Sequence, residues 1–364
     1  MAKKTTKPGK LNMGDMKKLL NKKAGTNVAY NLGMDENPTE VKEWIPTGSR
    51  WLDSIICRGQ LGGIPMGKIT EIAGLEGTGK SFMAAQIAGN AQKMGINVFY
   101  FDSESAVDPT FWVKAGCEVD DMLYIQASSV EQVMEFIEEI LGVSERSLFI
   151  WDSLAMTPCN SDIEGDFNPN SSMAVKARLL SKAFQKLTVP LANANSAFLV
   201  LNQLKTNIPQ GPNARIEIMT TPYVTPGGKA LNYSASLRIW LTGRKAKASF
   251  VYDDTKEVIG SEVKATLQKS RFGTLKRTSI FKILWGNKVG IQDEESWLEA
   301  IKGSDRLQNA GSWYTIKTDE GKEFKFQPSK WDSMIKENDE FRAYILKIMD
   351  EELINKFDKR GEKT

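Results

Sequence analysis

The sequence contains no histidine in 364 residues. Ser-His-Asp and Cys-His hydrolases are excluded, as are His-ligated zinc and an imidazole acting as general base or pH switch. Proton transfer must fall to Asp, Glu, Lys, Tyr or Cys. Cysteine is scarce: Cys57, Cys117 and Cys159 lie far apart and form no C-x-x-C pair. That pattern argues against a disulfide framework and a structural metal, and the three read as small buried hydrophobes of a reducing cytoplasm. No run of eighteen apolar residues occurs, and no apolar segment follows the basic N-terminus. Neither a membrane span nor a signal peptide is expected, and no membrane partner. Net charge is almost absent, 48 Lys+Arg against 45 Asp+Glu, so no overall field points to a partner.

What is present is a globular composition, 41% hydrophobic and 26% charged, with material for a sizeable core. Residues 1–23 hold eight Lys and one Asp and read as a basic arm with a short helix over Leu11–Lys23. From about Gly48 to Gly290, short apolar runs alternate with helical stretches. The runs are Lys68–Ile72, Asn97–Phe101, Met122–Ile125, Ser147–Trp151, Ala197–Leu201 and Leu237–Leu241; the helices are Ser81–Met94, Val130–Leu141 and Ala174–Leu187. This alternation predicts an α/β fold, a mostly parallel central sheet covered by helices on both faces. Ser261–Leu284 reads as further strands, a hairpin turning near Gly273. From Ile291 the pattern changes to a helix at Trp297–Ile301, a hairpin through Trp313–Phe326 and a helix through Phe341–Met349, a small α+β domain. The expected division is a basic arm at 1–44, a core at 45–290 and a small domain at 291–364.

Gly74-Leu75-Glu76-Gly77-Thr78-Gly79-Lys80-Ser81 fits G-x-x-x-x-G-K-[ST], with a strand before it and a helix after it. Its glycines let backbone N–H groups turn inward around phosphate oxygens, and the helix N-terminus adds its dipole. Lys80 would reach the β- and γ-phosphates of a nucleotide, and Ser81 would ligate Mg²⁺. The strand Leu148–Trp151 ends in Asp152, the position of a carboxylate that holds the Mg²⁺ shell. With no imidazole available, Glu104, just past the strand Asn97–Phe101, is the best candidate to activate water, and Asp102 competes with it. Asn202-Gln203 ends another strand, where a side-chain amide can sense the γ-phosphate. Residues 201–290 hold 15 Lys+Arg against 5 Asp+Glu, a local +10 inside a chain of +3. That concentration fits a phosphate-lined groove. The 24 residues Lys205–Gly228 are rich in Pro, Gly, Thr and Asn and read as a long functional loop.

These blocks in their order resemble the RecA-type homologous recombinases, bacterial RecA and the UvsX-like enzymes of phages. The segments are Ile45-Pro46-Thr47-Gly48-Ser49, Gly62–Ile69 running into the phosphate loop, Phe101–Pro109, Asp152-Ser153-Leu154-Ala155, Leu201-Asn202-Gln203, Pro226–Leu231 and Gly311-Ser312-Trp313-Tyr314. The resemblance implies a RecA-like P-loop ATPase core and ATP with Mg²⁺ as cofactors. It assigns Glu104 to the attacking water, Phe111 to the adenine face, Asp108 to its edge, and Gln203 to coupling of the γ-phosphate to a DNA loop. Lys269 and Arg271 match basic residues that reach the ATP of the next protomer. DNA contacts are implied for two loops: Glu164–Met173, with Met173 as a wedge and Arg178 on phosphate, and Lys205–Gly228, with Lys205, Ile208, Gly227 and Gly228.

There are departures. Ser105 stands where bacterial RecA commonly has histidine. Gln185 replaces an expected phosphate-contacting arginine, with Lys182 and Lys186 nearby. Ser333–Thr364 carries 7 basic and 8 acidic residues, not a strongly acidic tail, which places the C-terminal region nearer the phage type. The implied function is a DNA-dependent ATPase that forms helical filaments on single-stranded DNA and exchanges strands with a homologous duplex. Its expected location is the cytoplasm of a bacterium or of a phage-infected host, with a single-strand-binding protein and a loader as further candidate partners. A hexameric helicase of the same fold and a non-enzymatic single-strand coating protein remain as alternatives.

Overall fold

The computed structural model describes residues 12–35, 40–105, 107–164, 173–209, 214–243, 249–286 and 289–357. Two compact units make up the chain, Met1–Lys42 and Glu43–Thr364. In the first, the basic arm forms the helix Met13–Ala24. The Asn12 side chain caps its start by accepting from Gly14 N, and Gly25 ends it in the left-handed conformation (φ 72°). Asn21 Oδ1 accepts from Val28 N and Ala29 N, and Lys17 pairs with Asp35 at 2.5 Å, so the chain folds back on its helix.

The second unit is built on a ten-stranded sheet. In chain order its strands are β1 (Ile69–Gly74), β2 (Asn97–Asp102), β3 (Met122–Gln126), β4 (Ser147–Asp152), β5 (Ala197–Gln203), β6 (Leu237–Gly243), β7 (Phe250–Tyr252), β8 (Val258–Ser270), β9 (Thr278–Leu284) and β10 (Gly290–Gln292). They lie in the order β10-β9-β8-β6-β1-β5-β4-β2-β3, with β7 paired to β8. The run β6-β1-β5-β4-β2-β3 is parallel; β7 to β10 extend it antiparallel. The six apolar runs of the sequence are the six parallel strands; the inner ones are largely buried on both faces, as uninterrupted apolar runs should be, whereas β3, at the edge of the sheet, leaves Leu123 and Tyr124 exposed.

Helix Lys80–Lys93 packs on one face and helices Val130–Leu141 and Met173–Asn193 on the other, giving two apolar layers. In Val130–Leu141 the buried Val130, Val133, Met134 and Ile137 repeat at helical spacing, and Ser129 Oγ caps the start by accepting from Gln132 N. The hairpin expected near Gly273 is the antiparallel pair β8–β9.

Among the described strands of three residues or more, three escaped the sequence reading: β7, β10 and Leu307–Ala310. The last makes the C-terminal sheet three-stranded, with Trp313–Lys317 and Glu323–Phe326, where a hairpin was expected. These strands are three or four residues long, too short for alternation to show against neighbouring polar residues. Phe326, Trp331 and Phe341 form an aromatic cluster, with ring centroids 5.5–5.6 Å apart. It is continuous with the apolar layer around Phe281 and Ile283. β10 straddles residue 290/291, where the core was expected to end.

Lys205–Gly228 is also more ordered than its composition predicts. Lys205–Thr206 pairs antiparallel with Tyr223–Val224, and Ala214–Thr220 is a helix. The helix formers Ala, Arg, Glu and Met concentrate in that one stretch and are diluted by the Pro, Gly and Thr around it.

Candidate active site and nucleic-acid interface

Four parallel strands deliver their ends to one edge of the sheet. Gly74 of β1 lies beside Gln203 of β5, and Asp102 of β2 lies beside Asp152 of β4. Between β1 and helix Lys80–Lys93 the chain curls through Gly74–Ser81, with Leu75 half-buried, and Glu76 and Gly77 at its exposed tip. Gly79 is the helix N-cap at φ 80°, a left-handed conformation open to glycine at no steric cost. Thr78 Oγ1 donates to Leu75 O at 2.7 Å and closes the turn. Lys80 Nζ donates to Gly74 O (3.3 Å) and Leu75 O (3.1 Å), so the ammonium lies over the loop. Burial pushes its pKa down, opposed by the charges of Asp152, Glu104 and Glu76.

Ser81 Oγ and Tyr100 OH each donate to Asp152 Oδ2 at 2.7 Å. Burial pushes the Asp152 carboxyl up, and the two hydrogen bonds pull it down. Burial, and then the Asp152 charge, push the Tyr100 phenol up. A hydroxyl and a carboxylate this close, at the exit of a phosphate loop, are the hard oxygen donors that Mg²⁺ takes.

Asp102 and Glu104 part company. Asp102 is buried; its Oδ1 accepts from Glu104 N (2.7 Å) and Ser105 N (2.9 Å), and its Oδ2 from Tyr124 OH (2.9 Å). It anchors the turn. Glu104 is exposed at the site, and its Oε1 accepts from Ser153 Oγ at 2.6 Å.

Phe111 packs edge-on against Phe82 of the phosphate-loop helix, centroids 4.9 Å apart. Asp108 caps the helix Pro109–Lys114, its Oδ1 accepting from Thr110 N and Oγ1.

The chain matches the RecA N-terminal domain family over residues 12–291. It belongs to the RecA family. It is 32% identical to the mitochondrial DNA repair protein recA homolog of Dictyostelium discoideum, over 85% of this chain and 65% of that protein. It is 31% identical to Protein RecA of Haemophilus ducreyi, over 83% of this chain and 76% of that one, and 29% identical to Protein RecA of Acinetobacter baylyi, over 93% and 90%. These relatives are bacterial and mitochondrial, and they lend no support to the phage affinity expected from the C-terminal stretch.

In this RecA-family chain, Lys269 and Arg271 stand far from their own phosphate loop. β6 runs parallel to β1 with Leu237 beside Thr70 and Leu241 beside Gly74, while antiparallel β8 brings Lys269 beside Arg238. The two cations therefore sit at the sheet edge opposite Gly74, roughly 10–15 Å away along the strands. Lys269 Nζ donates to Asn232 O (2.7 Å) and Tyr233 O (3.1 Å), and Arg271 to Tyr233 O (3.1 Å). Burial pushes the Lys269 pKa down to about 8, and the charges of Arg271 and Arg238 add to it.

Of the residues expected at DNA, Arg178, Lys205 and Ile208 are exposed. Residues 165–172 of the first loop, the Met173 side chain and residues 210–213 of the second lie outside what is described. Lys186, one of the two lysines near Gln185, pairs with Glu138 at 2.6 Å.

The sequence reading missed a buried network. Glu71 of β1 pairs with Arg238 Nε of β6 at 2.5 Å, and Glu71 Oε1 accepts from Asn202 Nδ2 of β5 at 2.9 Å. Asn202 Nδ2 also donates to Pro226 O (3.1 Å), and Arg238 donates to Thr225 Oγ1 (3.2 Å). The network ties the phosphate-loop strand to the stem just before Gly227. The signal was available: Glu71 and Arg238 each interrupt an apolar strand with a single charge, and the charges are opposite.

Proposed function

We propose that this protein is an ATP- and Mg²⁺-dependent homologous recombinase of DNA repair and recombination, whose ATPase is stimulated by single-stranded DNA. It polymerises head to tail on that strand and exchanges it with a homologous duplex. The observation that carries the reading is the joint assembly at one sheet edge of Gly74–Ser81, Asp152 and Glu104, in a chain that belongs to the RecA family.

The loop amides of Leu75, Glu76, Gly77, Thr78 and Gly79 cradle the phosphates, Lys80 reaches between β and γ, and Ser81 and Asp152 hold Mg²⁺. When bound, the metal draws charge from the phosphate oxygens. Phe111 and Asp108 take the adenine face and edge. Glu104 orients a water and accepts its proton as the oxygen attacks the γ-phosphorus, and the bridging oxygen departs with ADP. Asp102, with both oxygens engaged, holds the turn instead. Lys269 and Arg271, placed away from their own loop, serve the γ-phosphate of the neighbouring protomer, and Gln203 reports its presence to the second loop. Met173 and Ile208 wedge between bases, while Arg178, Lys205 and the Gly227 and Gly228 amides hold the DNA backbone. The arm at 1–44 precedes the ATPase core in the chain and the segment after 290 follows it, and a single-strand-binding protein and a loader fit the same reading as partners.

Imaging with single-stranded DNA and a slowly hydrolysed ATP analogue tests it: extended helical filaments are the expected result, and closed rings favour a helicase. ATP turnover unchanged by single-stranded DNA would reject it.

A further inference from the structure

Lys176 has no role in the site described so far, although it follows the first DNA loop by one helical turn. Its side chain does not reach out to solvent. Nζ donates to Thr157 O at 2.6 Å and to Leu154 O at 3.0 Å. Both carbonyls belong to the turn after Asp152. In that turn Thr157 Oγ1 donates to Ser153 O at 2.9 Å, Met156 N and Thr157 N donate to the same oxygen at 3.2 Å, and Ser153 Oγ holds Glu104 at 2.6 Å. A continuous path of hydrogen bonds thus joins the helix leaving the first loop to the carboxylate that faces the attacking water.

The second loop meets the same turn. Gly227 has φ +93°, and a Cβ there would lie 2.9 Å from Leu154 Cδ2; one on Gly228 would lie 3.3 Å from Ala177 Cβ. Leu154 is buried between the two loop stems, its side chain against Gly227 and its carbonyl on Lys176. An ammonium satisfied by two main-chain carbonyls in a half-buried place cannot follow the helix to a new position without releasing them. Burial also pushes its pKa down, the mark of a group held away from water.

We propose that Lys176 is a positioning residue that clamps the Ser153–Thr157 turn, so that DNA seated on the first loop sets the orientation of Glu104. The proposal rests on the recombinase reading and deepens it. It names how occupancy of DNA reaches hydrolysis within one protomer, separately from the path through Gln203.

The test uses the full chain with oligo(dT), ATP and three variants, Lys176→Met, Lys176→Gln and Lys176→Arg. Hydrogen exchange is followed at the Leu154, Met156 and Thr157 amides. In the unaltered protein, oligo(dT) slows exchange there. In Lys176→Met, exchange without DNA is faster by about tenfold and DNA no longer slows it. DNA-stimulated kcat falls by about tenfold with KM for ATP and oligo(dT) affinity within about twofold. Lys176→Gln, which keeps a donor but no charge, shows the same effects more weakly, and Lys176→Arg restores both readouts. Unaltered exchange together with unaltered stimulated kcat would overturn the clamp. So would weakened oligo(dT) binding whose salt slope drops by about one, which would make Lys176 a phosphate contact. If the unaltered protein shows no DNA-stimulated turnover, the recombinase reading fails, and the exchange at the turn still decides the clamp.

Discussion

Glu104 and Asp102 are two residues apart, and the difference between them is occupancy. Asp102 spends both oxygens on its own turn and on Tyr124, whereas Glu104 faces the site with a serine hydroxyl steadying it. Glu104→Gln keeps the shape and the hydrogen bond and removes the basicity. Single-turnover measurements should show hydrolysis slowed by about 10²–10⁴-fold, with binding of a fluorescent ATP analogue retained. Lys80→Ala should instead lose nucleotide binding, because the ammonium over Gly74 and Leu75 is the loop's only side-chain cation. Both carboxylates are candidates in the sequence, with Glu104 preferred; the structure adds that the backbone has already claimed Asp102.

Among elements, the pairing of β1 with β5 and β6 creates the Glu71–Arg238–Asn202 network. A buried ion pair is worth little against well-packed apolar residues, but removing one partner strands the other charge. Arg238→Met should therefore cost about 3–5 kcal/mol, read by urea denaturation, and combining it with Glu71→Gln should recover a large part of that loss. A second element-level prediction concerns Asp293, which opens the helix Asp293–Ile301 and accepts from Arg50 N at 2.8 Å. Burial pushes its carboxyl up to about 6 from an ordinary 3.8. The folded state thus holds this proton more tightly than the unfolded chain. The stability it contributes is full below the ordinary carboxylate pKa and is lost as pH rises through the folded value. Relative to Asp293→Asn, the Tm of the unaltered protein should fall between about pH 4 and pH 6, measured by calorimetry across that range.

For the whole molecule, the sheet puts Gly74 and Lys269 at opposite ends of its strands, so in the proposed head-to-tail assembly each ATP site would be completed by a neighbour's cations. Lys269→Ala and Glu104→Gln should each be inactive alone. Mixed in equal amounts on single-stranded DNA, they should regain about a quarter of normal turnover, since about one interface in four then joins an intact Glu104 to an intact Lys269. No recovery in a steady-state ATPase assay would place Lys269 in the site of its own chain. The near-zero net charge conceals this polarity: the +10 of residues 201–290 covers both the second loop and the strand that carries Lys269.

The sequence by itself determined what is local. The phosphate loop, the carboxylate ending β4, the six parallel strands and the exclusion of imidazole chemistry all follow from residue types at short spacings, because strand and helix periods and loop motifs are properties of contiguous chain. The order of its segments was enough to suggest RecA. Only the tertiary structure decided what depends on residues far apart in the chain. It spent Asp102 on a turn, joined Glu71 to Arg238, sent Lys269 to the far end of the strands, and brought the stems of both long loops onto Leu154. Strand order and register set those meetings, and neither is written in any single segment.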